Sequence, residues 1–351
     1  AILREAEKDG VLTDLGKKAL WLVDSLARGA ENRYGDLTPL GARQHRGIAR
    51  RMYNNFPEVF QGAAEVDARS TTVIRCILSM TAECLQLQSL NPELRIKDEA
   101  TSYDMYYMNY GNEYFKKKRQ EDEVIAVKAA FRKEHLHPER LMKSLFNNDN
   151  YVKWKVDAGK LMSYLFELAA ITQSHDTDLD LYSLFTKEEC YDLWLISNLN
   201  WYIDYGPSPL TQGKMPYVEA NLLENILNTA DTCVVKKENS ATLRFGHETC
   251  LLPLACLLEL GDCAYQTTDI NKLSDIWRNY RIFPKACNIQ FVFYRKKGND
   301  NILVKILLNE QEMKLPLASE LVPYYHWEEV ERYYTVSYTH LRAHETDQYL
   351  V

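Results

Sequence analysis

The chain is poor in the residues that break or cross-link a fold. Only 14 glycines and 11 prolines occur in 351 residues, too few for a linker-rich or low-complexity protein. Eight cysteines form no Cys-x-x-Cys pair and no zinc-type spacing. Cys76, Cys84, Cys250, Cys256 and Cys263 fall in or near apolar helical runs, which reads as buried free thiols. The even number leaves a disulfide open and the compartment undecided. No apolar run reaches the roughly 18 residues of a membrane span. There is no Gly-x-Ser-x-Gly, P-loop or Gly-x-Gly-x-x-Gly. A net charge of −7 speaks against wholesale nucleic-acid binding but leaves room for a local basic pocket.

The composition is 46% hydrophobic, so a substantial core can form, in one large domain or two ordinary ones. The most informative stretch is Phe245–Gly261, FGHETCLLPLACLLELG. A β-leaning run, Ala241–Phe245, meets a glycine, and His247 and Glu248 follow at the head of an apolar helix. A helix start offers unpaired N–H groups and a positive dipole end, so it suits an anion. Beside it stand an imidazole that can hold an oxyanion and a carboxyl that can deliver a proton.

A second junction of this kind lies at 66–85. Val66–Arg69 is a strand candidate, and a helix follows with Val73, Ile74, Ile77, Leu78, Ala82 and Leu85 expected on its apolar face. Arg69 and His247–Glu248 would then both sit beyond the carboxyl ends of strands, where open α/β sheets bind ligands. Arg75 lies six residues on, roughly 240° round a helix; the two could still converge if Arg69 precedes the helix, though a salt-bridged structural arginine is the commoner outcome.

Elsewhere the chain reads as α/β at both ends with a helical block between. Thr38-Pro39 opens a helix whose Arg43, Arg46 and Arg50 form a basic stripe, ordinarily a solvated face. Residues 91–240 read mostly helical, with loops at Asn91-Pro92 and Gly206–Pro209. Asn288–Tyr294 and Ile302–Leu308 suggest a hairpin around a Gly/Asn/Asp turn, and Trp327–Tyr334 a short closing helix.

The other chemical candidates are weak. Asp176–Asp180 begins like a calcium loop, but Leu181 and Lys187 stand where Gly and Glu are needed. Ser174-His175-Asp176 are adjacent and cannot converge as a triad. His135 and His137 have no third ligand and read as a surface turn. Lys116–Arg119 (KKKR) reads as a solvated helix face, with the rim of a polyanion pocket as the sharper alternative.

Four stretches resemble the histidine acid phosphatases, branch 2 of the histidine phosphatase superfamily, and among them the bacterial multiple inositol polyphosphate phosphatases. They are residues 35–53 (GDLTPLGARQHRGIARRMY), 66–80 (VDARSTTVIRCILSM), 243–255 (LRFGHETCLLPLA) and 288–310 (NIQFVFYRKKGNDNILVKILLNE). The resemblance implies an open sheet flanked by helices, with a large all-α insert over the pocket. The expected division is 1–90 and 241–335 for the α/β core, 91–240 for the insert, and 336–351 for a non-native tail. That tail resembles translated adaptor sequence, and its His340, His344 and Glu345 carry no chemistry in this reading.

By resemblance, Arg69 matches a phosphate-pocket arginine, His247 the second pocket histidine, and Glu248 the proton donor. The family's Arg-His-Gly-x-Arg-x-Pro motif, which supplies the nucleophilic histidine, is absent; His45, in Arg43-Gln44-His45-Arg46, lies in the helix that follows that motif. The motif and a first strand are expected upstream of Ala1, and the chain as given is expected to be inactive. The implied substrate is a small phosphorylated molecule, an inositol polyphosphate such as phytate, hydrolysed through a phosphohistidine. No cofactor, metal, nucleic acid or membrane span is expected, and secretion or periplasmic residence is implied. The rival expectations are a general acid or sugar phosphatase and a non-catalytic phosphate-binding protein.

Overall fold

The structure, a computed structural model, describes residues 1–109, 111–236 and 239–336. Of the tail expected at 336–351, residues 337–351 lie outside the described residues.

Two compact units make up the chain. One joins Ala1–Leu40 to Ala126–Leu199, and the other joins Gly41–Ile125 to the residues from Asn200 onward. These boundaries run differently from the expected ones near 90 and 240. The reason lies in the first 29 residues, which are mostly helical: helices Ile2–Lys8 and Asp14–Gly29 bury Leu3, Ala6 and Ala19. Those side chains share one core with Leu141, Leu145, Leu161, Met162 and Leu165.

The second unit holds both sheets. Its parallel sheet has three strands: β1 spans Glu65–Ser70, β2 Arg95–Glu99 and β3 Ser240–Phe245. β1 lies in the middle and pairs with both others in parallel. Arg69 stands opposite Glu99 on one side and Arg244 on the other. Three carboxyl ends therefore share one edge, and the chain leaves β1 and β3 there into helices.

Strand alternation splits β1 between two faces. Val66 packs with Ala49 and Leu87, and Ala68 with Cys76, Met80 and Cys84. Asp67 and Arg69 point to the opposite face. The helix after β1, Ile74–Leu90, is rotated from the expected orientation. Its buried side carries Cys76, Met80, Ala82, Cys84 and Leu87; of the expected face Ala82 is buried and Val73 and Ile77 pack on this core, while Ile74, Leu78 and Leu85 are exposed. The sequence offers two apolar stripes on this helix, and the close approach of Ala68 and Phe245 favours the slimmer one.

The expected hairpin forms as β4 (Ile289–Arg295) and β5 (Ile302–Leu308), antiparallel, with Ile289 opposite Leu308. Gly298 takes φ +75° in its turn, a conformation that glycine adopts without a Cβ clash. β5 also pairs with β6 (Gln311–Glu312) and β7 (Tyr325–His326). Residues 327–336 are helical, and Trp327 Nε1 donates to Asp231 at 2.7 Å. All eight cysteines are free. Among the described residues no helix is long and apolar enough to cross a membrane.

Candidate active site

His247 is the last residue before the helix Glu248–Leu257, in extended backbone conformation, and its side chain makes no capping bond. The helix Ile74–Leu90 likewise begins with no side-chain cap, at Val73. Both starts follow directly from neighbouring strands, and the Thr71 N–H donates to the Phe245 carbonyl at 3.0 Å. Two helix N-termini with unspent amide hydrogens thus open at one sheet edge.

The imidazole lies between them. Its Nε2 is 3.7 Å from the Cys76 Sγ, and that thiol donates to the Gly246 carbonyl at 3.3 Å. With the thiol proton directed at the carbonyl, the tautomer that suits the sulfur carries its proton on Nε2. Nδ1 is then a buried ring nitrogen with no hydrogen-bond partner among the described residues. An unmet buried polar atom costs roughly 1–3 kcal/mol, so this nitrogen is poised for a partner that enters the site.

Burial pulls the His247 pKa below the ordinary histidine value; the Arg75 charge adds to that, and Glu248 opposes it. The free ring is therefore neutral at neutral pH. The Glu248 carboxylate is exposed at the head of its helix. Its charge is also felt by the half-buried Cys287 thiol, pushed up to about 12 chiefly by desolvation.

The two arginines behave differently. Arg69 reaches the expected sheet edge, but its side chain lies on the face of β1 opposite Ala68 and the Cys76 helix. It donates to both oxygens of Asp67, pairs with Glu99, and lies 3.7 Å from Asp104. The hydrogen bond that it donates to Asp67 is the main reason its pKa is raised. Arg75, the second residue of its helix, is exposed, and its side chain has no hydrogen bond or ion pair among the described residues. It is Arg75, not Arg69, whose charge acts on His247. From the sequence, convergence of Arg75 with Arg69 requires that Arg69 precede the helix, and it does: Arg69 is on a strand, and the helix begins only at Ile74.

A buried acid lies behind the site. Glu219 is 2% exposed, in the segment Met215–Glu219 that packs against the helix Glu248–Leu257. Burial lifts its pKa to about 8, slightly offset by the Cys250 thiol in the first turn of that helix. No local pattern marks it, since Glu219 reads as one polar residue in a mixed run.

The remaining candidates fall elsewhere. His45 Nδ1 is 2.8 Å from the buried Glu83, and His135 Nδ1 is 3.2 Å from Asp192. Both are histidines with a local carboxylate partner. Among the described residues no group of three or more His, Cys, Asp or Glu side chains could hold a metal ion.

The model of the histidine phosphatase superfamily (branch 2) matches residues 6–309. The chain belongs to this family. By family it is a phosphoric monoester hydrolase. Multiple inositol polyphosphate phosphatase 1 of Gallus gallus is 23% identical over 328 residues, covering 87% of this chain and 69% of that relative. Among solved structures, the multiple inositol polyphosphate phosphatase of Bifidobacterium longum, in complex with inositol hexasulfate, has a TM-score of 0.79 at 18% identity. The match covers 94% of this chain and 86% of that one. The phytase from D. castellii has a TM-score of 0.61 at 13% identity, covering 92% and 75%. At these identities the structures establish a shared fold: an α/β core with a parallel sheet and many helices.

Proposed function

We propose that the site binds and hydrolyses phosphomonoesters of myo-inositol polyphosphates such as phytate. The observation that carries this reading is His247 Nδ1 beside the Arg75 guanidinium, at the head of two helices, neither with a hydrogen-bond partner among the described residues. A phosphoryl group meets all of these needs at once. It gives the ring nitrogen a hydrogen-bond partner, and it gives the guanidinium and the amide hydrogens an anion. The names of the relatives supply the substrate class.

Each residue then has one task. Arg75 and His247 hold the phosphoryl oxygens and spread their charge. Glu248, exposed at the helix head, protonates the departing alkoxide. Arg69 ties β1 to β2 through its carboxylates and takes no part in phosphate binding. Attack on phosphorus falls to a histidine of an Arg-His-Gly motif, which these 351 residues do not contain. They supply the acid and the clamp, and no phosphohistidine is expected to form on them alone. A secreted or periplasmic setting goes with this reading on family resemblance, and cell fractionation checks it.

The test is phosphate release from phytate and from simple phosphomonoesters. The chain alone is compared with the chain preceded by a relative's first strand and Arg-His-Gly motif. Release by the extended form only, lost on Glu248→Gln, is the expected result. Turnover by the chain alone that survives Glu248→Gln and Arg75→Ala overturns the site. Turnover of simple esters with phytate spared overturns the substrate class.

A further inference from the structure

We propose that Arg119 and Tyr205 form a second anion subsite beside Glu248, which holds a non-reacting phosphate of a polyphosphorylated polyol. The proposal rests on the phosphatase reading above and specifies how substrates with several phosphates are favoured.

The cationic run 116–119 does not act as one patch. Lys116 pairs with Glu113 at 2.7 Å on the same helix. Lys118 is buried and pairs with Glu121 at 2.8 Å. Lys117 is exposed. Arg119 departs from these local arrangements: its guanidinium carbon lies 4.2 Å from the centre of the Tyr205 ring. Its Nε donates to the Asp204 carbonyl at 2.9 Å. The two terminal nitrogens have no hydrogen bond or ion pair among the described residues.

Stacking on a ring and one bond to a carbonyl fix the plane of a guanidinium without neutralising it. Neither the ring nor the backbone carbonyl carries a full charge. Arg69 shows the opposite arrangement, with three carboxylates around it. Arg119 is thus held in place with its charge and two donor groups unspent, as a bidentate phosphate ligand requires.

Its location connects it to the chemistry. Tyr205 is half-buried, and four charged or titratable neighbours act on its phenol besides burial: Arg119, Asp204, Glu248 and Cys250. The phenol on which Arg119 stacks is thus also within electrostatic reach of the proposed proton donor. The helix Glu113–Lys118 is anchored by Phe115, which packs on Met215 and Val218. That segment packs in turn against the helix headed by Glu248. A monoester with a single phosphate would engage His247 and Arg75 alone. A polyphosphate held there presents its neighbouring phosphates to Arg119.

The test is calorimetric titration of the chain with myo-inositol hexakisphosphate and, separately, with inorganic phosphate. Arg119→Ala is expected to weaken hexakisphosphate binding about ten-fold, the scale of one lost charge-assisted contact. Inorganic phosphate binding stays unchanged in that variant. Arg119→Lys keeps the charge without the planar fork and recovers part of the loss, which also guards against a folding artefact. Arg75→Ala weakens both ligands. Unchanged hexakisphosphate affinity in Arg119→Ala overturns the subsite, and so does equal weakening of both ligands. Failure of the unaltered chain to bind either ligand overturns the phosphatase site itself.

Discussion

The Arg69 guanidinium donates to both carboxylate oxygens of Asp67, its second neighbour on the same strand, at 2.9 and 3.3 Å. Residues two apart on a strand share a face, so this pairing turns Arg69 away from the side on which Ala68 meets the Cys76 helix. Glu99 and Asp104 complete its surroundings. Arg69→Ala is expected to leave inorganic phosphate binding unchanged and to lower stability by about 1–2 kcal/mol, because three carboxylates lose their shared cation. Arg75→Ala is expected to do the reverse, with an unaltered melting temperature and at least about ten-fold weaker phosphate binding. Calorimetry and thermal melts of the two variants separate the roles. Equal phosphate loss in both would return Arg69 to the pocket.

His247 makes phosphate binding depend on pH. In the free site burial and the Arg75 charge hold the imidazole neutral to lower pH than an ordinary histidine. A bound phosphate favours the imidazolium, so its pKa rises on binding. Between the free and bound values each binding event takes up a proton, and affinity grows as pH falls. Without ligand the sign is opposite for stability. The unfolded chain binds the proton first, so stability falls as pH drops below the ordinary histidine value. Titrations in buffers of different ionisation enthalpy would report the proton taken up, and His247→Asn should abolish it. Phosphate affinity that stays flat from roughly pH 8 to pH 5 would be inconsistent with this role.

The strand-to-helix junctions were legible because the pattern is local. Gly246, His247 and Glu248 separate a β-leaning run from an apolar helix, and Arg69 closes a second such run. Side-chain direction was not legible. Glu99 and Asp104 reach Arg69 from 30 and 35 positions further along, and only the pairing of β1 with β2 brings Glu99 there. The helix Ile74–Leu90 carries apolar residues on two sides, and local periodicity cannot choose between Leu78 and Met80; packing against Ala68 and Phe245 does. The association of residues 2–29 with 141–165 spans more than a hundred positions and leaves no trace in the pattern of either segment.

Glu219 gives the fold an alkaline weakness. Its carboxyl is buried, its Oε2 has no hydrogen bond among the described residues, and its pKa is lifted from 4.5 to about 8. Between those values the native state keeps a proton that the unfolded chain has released. Stability therefore declines as pH rises from about 4.5 to about 8 and changes no further above that. Glu219→Gln keeps the shape and removes the ionisation. It is expected to flatten the decline by roughly 3–5 kcal/mol at most. Denaturant titrations at acid and alkaline pH would show this, and parallel pH profiles for the two proteins would contradict it.

Gly16 offers a packing test in the other compact unit. Alanine is the better helix former, by roughly 0.5–1 kcal/mol, so a helical glycine invites replacement. Here an added Cβ would lie 2.1 Å from the Leu145 carbonyl oxygen and 3.1 Å from the Leu12 side chain. That carbonyl cannot turn aside, because it accepts the Thr13 N–H at 3.0 Å. The Thr13 hydroxyl meanwhile donates to the Ser144 carbonyl and accepts the Gly16 N–H, capping the helix. Relief of the clash must therefore separate the helix Asp14–Gly29 from Leu145. Gly16→Ala is expected to cost about 2–3 kcal/mol and to speed amide exchange at Lys17 roughly thirty-fold or more. Gly29→Ala, at the far end of the same helix with open space around it, should be neutral or mildly stabilising. If the two variants exchanged at the same rate, the close approach of Gly16 to Leu145 would not be holding this unit together.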